Sequence, residues 1–359
     1  MLTTIVATAI VLGILVFVHE LGHFLLAKKL GVGILKFSLG FGPKLIGRKI
    51  GETEYQIAVF PLGGFVKPLG EDPKEEIKEE DRHRSLSAQP IWKRALIVGA
   101  GPFFNFFLAA VIFSTINLFG IPYYPAKIGE VSPGLPAEQA GLKKGDVILS
   151  IDGEEVTKWD DLSQIIRNSE GKELSLKLKR DTETLEIKVT PKSSTQKNLF
   201  GEEVHVFVIG ITPFDEILVE KAGPFKAVGK GLSQTWFGIK LTVVSIIKLI
   251  ERVIPAKTIG GPILIAQMAG EQAKRGLLSL ALFMAILSIN LGVINLFPIP
   301  ILDGGHFLFL SLEAILRKPI SIKKMEIAQQ VGLIFIILLM LFAFYNDFIR
   351  IISPGGFKF

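Results

Sequence analysis

His19-Glu20-Leu21-Gly22-His23 sets two imidazoles four residues apart with a carboxylate between them. On a helix that spacing puts His19 and His23 on one face, one turn apart. Two imidazoles so placed can hold one metal ion, and Glu20, pointing partly aside, can reach a metal-bound water. The five residues close an uncharged and nearly apolar run, Thr3 to Val18, with no Pro before Lys28. Ionisable groups inside an apolar segment of this length cost several kcal/mol and call for a partner such as a cation. Two histidines alone would fit an interfacial helix end. The intervening glutamate and the membrane-length setting favour metal ligands.

A second cluster lies far down the chain, at Asn295-Leu296-Phe297-Pro298-Ile299-Pro300-Ile301-Leu302-Asp303-Gly304-Gly305-His306. Pro298 and Pro300 cannot continue a regular helix, so the apolar segment breaks there. Asp303 stands at the break with Gly304 and Gly305 behind it. It is the natural third ligand, completing two histidines and a carboxylate with a fourth position open for water. The alternative for Asp303 is an N-cap of the segment that follows. Glu313 and Glu326 are rival carboxylates, neither at a glycine-supported break. His306 suits a cap or an outer hydrogen bond, while His83 and His205 read as surface residues.

These residues need apolar elements to hold them. Of 359 residues, 49% are hydrophobic, and the mean hydropathy is +0.47, too apolar for an ordinary soluble enzyme. Four spans are expected: residues 1–30, 95–122, a broken third span over 277–316, and 328–350. The formal net charge of +6 lies largely beside the apolar runs. That suits a lipid bilayer, and no basic stripe interleaved with aromatics points to nucleic acid. With no cysteine, thiol catalysis and iron–sulfur clusters are excluded, and any zinc must be held by His and carboxylate. No Lys or Arg precedes the first run, which argues against a cleavable signal peptide. Lys28, Lys29, Lys36, Lys44, Arg48 and Lys49 after the first span, and Arg317, Lys318, Lys323 and Lys324 before the fourth, are expected in the cytoplasm. Both termini are then extracytoplasmic.

Between the spans, residues 31–70 read as a hairpin rich in Gly and aromatics that dips toward the membrane from the cytoplasmic side. Its Tyr55–Phe60 run, with Tyr55, Ile57 and Val59 alternating, is the expected edge for pairing an extended peptide. Residues 71–94 are a charged linker. Residues 126–213 have soluble composition and alternate short strands with short helices, including a tight turn at Asp152-Gly153. Residues 223–275 read as an amphipathic region on the outer face, since Lys240, Lys248, Glu251 and Arg252 interrupt its apolar stretch. The fold class is thus a mainly α polytopic membrane protein with a membrane-associated β-hairpin and an inserted α+β domain.

The His-Glu-Leu-Gly-His stretch and the Asn295–Gly305 stretch, with Leu302-Asp303-Gly304 at its heart, together resemble the site-2 protease family of intramembrane zinc metalloproteases. The chain is most similar to the family's bacterial RseP-type branch, regulators of sigma-E protease. Gly101-Pro102-Phe103-Phe104-Asn105 resembles a further family element, and Gly101, Asn105 and Gly304 are taken as structural. Residues 126–213 resemble a PDZ domain, most specifically in the Ser132–Asp146 stretch, and are expected on the extracytoplasmic side. Only one such domain is legible, where some relatives have two. The resemblance implies Zn2+ held by His19, His23 and Asp303, and Glu20 as the catalytic acid/base. It implies substrate contacts at Asn295, to which Pro298 and Pro300 are joined. It also implies a single-span membrane substrate, such as an anti-sigma factor, already trimmed by an upstream site-1-type protease at the bacterial inner membrane. A non-catalytic membrane scaffold presenting a PDZ domain is the competing reading.

Overall fold

The computed structural model describes residues 1–71 and 77–353. Residues 72–76 of the expected linker, and Lys358 of the tail, lie outside the described residues. The chain divides into two compact units. One comprises Met1–Thr115, Ala227–Ile247 and the chain from Pro255; the other comprises Ile116–Lys226 and Lys248–Ile254.

In the first unit, helix α1 (Leu2–Lys29) runs through the apolar opening segment and ends with Lys28 and Lys29 in its last turn, where cations suit the helix dipole. Strands β1 (Ile34–Ile50) and β2 (Thr53–Pro68) pair antiparallel with repeated register shifts. The shifts fold the ribbon over itself. Lys36–Leu39 aligns with Lys67–Gly64 on one side and with Glu54–Ile57 on the other, and Glu54–Ile57 aligns in turn with Lys49–Ile46. Phe24 and Ala27 of α1, Val32, and Ile34 and Phe37 of β1 form one buried cluster with Ile97. Ile97 belongs to α2 (Ile91–Phe119), which carries Pro102 inside it. Helices α1 and α2 touch where Gly22 faces the Ala100 carbonyl, and a Cβ at Gly22 would crowd it.

The second unit is built from short elements. Strand β3 (Ile121–Tyr123) precedes β4 (Ile128–Val131), the single-turn α3 (Pro136–Gln139), β5 (Val147–Ile151) and β6 (Glu154–Glu155). Helix α4 (Trp159–Arg167), β7 (Leu174–Arg180), β8 (Glu183–Val189), β9 (Lys192–Lys197), β10 (Glu203–Val208), β11 (Ile211–Pro213) and β12 (Leu218–Glu220) follow. The strands form a four-stranded sheet of order β6-β5-β7-β8 and the separate pairs β4–β11, β9–β10 and β3–β12. Asp152 and Gly153 take φ of 49° and 86°, the positive values that a tight two-residue hairpin demands. Ile128, Ile148, Ile151, Leu162, Leu176, Leu178 and Ile209 make the core. At its border, buried Asp146 accepts hydrogen bonds from Arg180 Nε at 2.8 Å and Nη2 at 2.7 Å, and from Lys143 N–H at 2.8 Å.

Five further helices follow: α5 (Pro224–Ile250), α6 (Pro262–Arg275), α7 (Leu277–Asn295), α8 (Asp303–Leu316) and α9 (Ile322–Ile352). The stretch expected as one amphipathic region is therefore two helices. In α5, Gly231 abuts Ser114 of α2, Gly238 abuts Ile289 of α7, and Thr242 donates to Asn290 Oδ1 at 2.8 Å. Helix α6 packs on α1, with Ala269 against Ala7 and Phe283 of α7 in the same cluster. Its N-terminus is capped from α9: Asp347, buried, accepts from the N–H groups of Gly261, Ile263 and Leu264 at 2.9, 3.0 and 3.1 Å. Among the described residues four helices, α1, α2, α7 and α9, are long and apolar enough to cross a membrane. The last begins six residues before the expected 328, because Lys323 and Lys324 join its first turn.

Candidate metal centre

Helix α1 supplies His19 and His23, and the first residue of α8 supplies Asp303. The break between α7 and α8 is what turns Asp303 inward. Gly304 and Gly305 let that loop fold back, since a Cβ on either would run into the backbone of Leu296 and Phe297, or of Ile299 and Pro300. Asp303 Oδ2 lies 3.2 Å from His19 Nε2 and 3.6 Å from His23 Nε2. The two Nε2 atoms are 3.3 Å apart. Zinc bonds of about 2.0–2.1 Å in a tetrahedron put ligand atoms roughly 3.3–3.4 Å from one another, so these three separations suit a single ion. Asp303 Oδ2 is also buried with no hydrogen-bond partner, which is costly for a carboxylate unless a cation meets it.

Helix α2 holds the imidazoles from behind. His23 Nδ1–H donates to the Ile97 carbonyl at 2.9 Å, which leaves Nε2 bare in the neutral ring, as ligation requires. One turn on, Gly101 faces both rings; a Cβ there would lie 2.6 Å from His23 Cε1 and 2.7 Å from His19 Cε1. Another turn on, the Asn105 side chain lies 3.0 Å from His19 Nδ1. Below the rings, Arg94 makes a two-pronged ion pair with Glu313 of α8, at 3.0 and 2.5 Å. Residues 94, 97, 101 and 105 follow helical spacing along one face, so a single face of α2 aligns His19, His23 and the helix bearing Asp303. Sequence reasoning missed Ile97 and Arg94, since a carbonyl acceptor and an ion pair 219 residues apart leave no local signal.

Glu20 sits beside the three groups, near the Val66 backbone of β2. Gly64 brings this part of β2 close, for a Cβ there would stand 3.2 Å from Glu20 Cγ. Asn295 Nδ2 reaches within 3.4 Å of His19 Nε2. Pro300 packs on Gly332 of α9, and Pro298 is exposed. Glu313, a rival ligand from sequence, is engaged by Arg94, and Glu326 is exposed. His83 and His205 are both exposed.

The expected peptide edge at Tyr55, Ile57 and Val59 needs correction. Tyr55 and Ile57 are aligned on both sides, with Phe37 and Arg48 and with Leu39 and Ile46, so they offer no free edge. Tyr55 also packs on Phe24 and Phe37 and its hydroxyl accepts from Lys28 Nζ at 3.2 Å. Val59 lies where the ribbon bends, between the Ala58–Lys44 and Phe60–Phe41 pairs. The part of β2 that meets Glu20 is Gly64–Val66. Elsewhere on the ribbon, Lys44 donating to Glu54 at 2.6 Å holds that carboxyl below its usual range.

A helical membrane protein with two imidazoles and one carboxylate converging beside a second acid is the arrangement of a metal-dependent hydrolase. Comparison narrows the class. Residues 7–339 match peptidase family M50. A protein of Mesorhizobium japonicum named "Putative zinc metalloprotease mll0638" is 36% identical over 96% of this chain and 98% of its own length. The regulator of sigma-W protease RasP of Bacillus subtilis is 32% identical over 97% of this chain and 99% of its own. The chain belongs to peptidase family M50, the site-2 protease family.

Proposed function

We propose that the protein is a zinc-dependent intramembrane endopeptidase that cuts single-span membrane proteins, anti-sigma factors among them, after a site-1-type protease has trimmed them outside. The observation that carries this reading is the meeting of His19, His23 and Asp303 beside Glu20. His19, His23 and Asp303 are the metal ligands. A zinc ion held by them supplies Lewis acidity, which polarises a scissile carbonyl and acidifies a water. Glu20 takes the proton of the attacking water on its carboxylate and returns one to the leaving amine. Asn295, with its carboxamide beside His19, holds the substrate backbone.

A substrate helix hides its peptide bonds in its own hydrogen bonds, so it must unwind before attack. Pairing the unwound strand with Gly64–Val66 of β2 offsets the lost helical bonds, and this edge, unlike Tyr55–Val59, adjoins Glu20. Relatives named as zinc metalloproteases and as a sigma-W regulator support the metal and the pathway. Residues 126–213, within the second unit, are a PDZ domain on the extracytoplasmic side, a reading supported by the Ser132–Asp146 sequence. The chain sits in the bacterial inner membrane with both termini extracytoplasmic, as the charge asymmetry favours.

The test uses purified full-length protein in lipid nanodiscs with a labelled single-span substrate. Cleavage that stops with a chelator, returns with zinc and is absent in Glu20→Gln supports the assignment. Chelator-resistant cleavage, or wild-type turnover by Glu20→Gln, overturns it. A scaffold would show neither cleavage nor stoichiometric zinc.

A further inference from the structure

Asn105 is fully buried, 0% exposed, in the middle of α2. Its backbone carbonyl accepts Ser288 Oγ–H of α7 at 2.7 Å, which pins this level of the helix. With Nδ2 turned toward His19 Nδ1, at 3.0 Å, the amide oxygen Oδ1 is left buried without a hydrogen-bond partner. The two ends of a carboxamide have nearly the same shape, so the hydrogen-bond network decides which way it faces. The two orientations have opposite consequences for the imidazole. If Nδ2 donates to Nδ1, the ring proton must sit on Nε2, the atom 3.2 Å from Asp303 Oδ2, and the ligand lone pair is lost. If Oδ1 faces Nδ1, the proton sits on Nδ1 and Nε2 is bare. His23 already has the second arrangement, through Ile97.

We propose that Asn105 is the positioning residue of His19: its Oδ1 accepts the Nδ1–H and so directs the Nε2 lone pair to the metal. The turned amide gives the orphaned oxygen a donor, the His19 Nδ1–H, and carries Nδ2 to the place where the partnerless oxygen now stands. The proposal rests on the metal-centre reading above and assigns to a carboxamide on α2 the part that a carbonyl on the same face plays for His23. Partners of this kind fix ring orientation and raise ligand basicity, and their loss costs about 10–100-fold in metal affinity.

The experiment compares wild type, Asn105→Asp, which keeps an acceptor, and Asn105→Leu, which removes it, in the full-length protein. Zinc affinity is read by competition with a chromophoric chelator. Thermal unfolding is read without metal, and the imidazole 15N shifts of His19 report the tautomer. Expected are a protonated Nδ1 in wild type, a loss of about 10–100-fold in zinc affinity for Asn105→Leu, and affinity largely retained in Asn105→Asp. A proton on Nε2 in wild type overturns the proposal. So does unchanged affinity in Asn105→Leu, or equal loss in both variants tracking their metal-free stability. If wild type binds no metal, the metal-centre reading fails, while the 15N signal, which needs no metal, still decides the role of Asn105.

Discussion

Replacing Gly101 with alanine tests how closely α2 is fitted to the two imidazoles. The added methyl would stand 2.6 Å from His23 Cε1 and 2.7 Å from His19 Cε1, where relaxed carbon contacts lie at about 3.5 Å. His19 must retreat by roughly 0.8 Å, and His23 by more, because its Nε2 stands nearer still to the added methyl. Helix α2 cannot yield instead, because its Ala100 carbonyl is already against Gly22. Metal–ligand distances tolerate only about 0.2 Å. Zinc affinity should therefore fall by at least the ~10–100-fold that follows loss of a supporting partner. Metal-free stability should fall by no more than about 2 kcal/mol. A helical Gly→Ala gains about 1 kcal/mol in propensity, against about 1–3 kcal/mol for overpacking. The assay is thermal unfolding with and without zinc. At a hundredfold excess over Kd, zinc stabilises the wild type by about 2.7 kcal/mol; a hundredfold weaker variant at the same concentration gains only about 0.4 kcal/mol. A Gly101→Ala protein that zinc stabilises as fully as wild type would refute the fit between α2 and the rings.

Two further substitutions probe what holds the helices. Arg94→Ala should destabilise by about 1–3 kcal/mol in denaturant unfolding, less than for a fully buried pair because both partners are partly exposed, and should weaken zinc binding by loosening α8; a neutral result in both measurements would show that the pair positions nothing. Asp347→Ala strips the acceptor from three N–H groups at the start of α6 and should cost about 1–2 kcal/mol. Hydrogen exchange should then rise at Gly261, Ile263 and Leu264, and unchanged exchange there would remove Asp347 as the cap.

The apolar helices were legible because their composition declares them, down to four long segments at about the expected places. The pairing of His19 with His23 needs only helical spacing, and a break near Pro298 follows from proline chemistry. That Asp303 approaches both rings is a tertiary fact, set by glycines that admit the backbone at 304 and 305 and by α8 lying on α2. The hairpin shows where pattern reading stops. Alternation at Tyr55, Ile57 and Val59 identifies a strand, but the register shifts that give Tyr55 and Ile57 a paired neighbour on each side are invisible in it. Gly64, close to Glu20, looks like any turn glycine. Ile97 acts through its carbonyl, which every residue type possesses, so no sequence signal marks it. Helix α5, too charged to read as a span, nevertheless packs along α2 and α7 through Gly231, Gly238 and Thr242.

His19 and His23 leave the ribosome long before Asp303, which lies far down the chain from them. Until α8 has been made and seated, the growing polypeptide has two imidazoles without their carboxylate and no competent hydrolytic centre. A peptidase whose ligands come from distant parts of the chain would stay inactive toward its neighbours in the bilayer until both parts are seated.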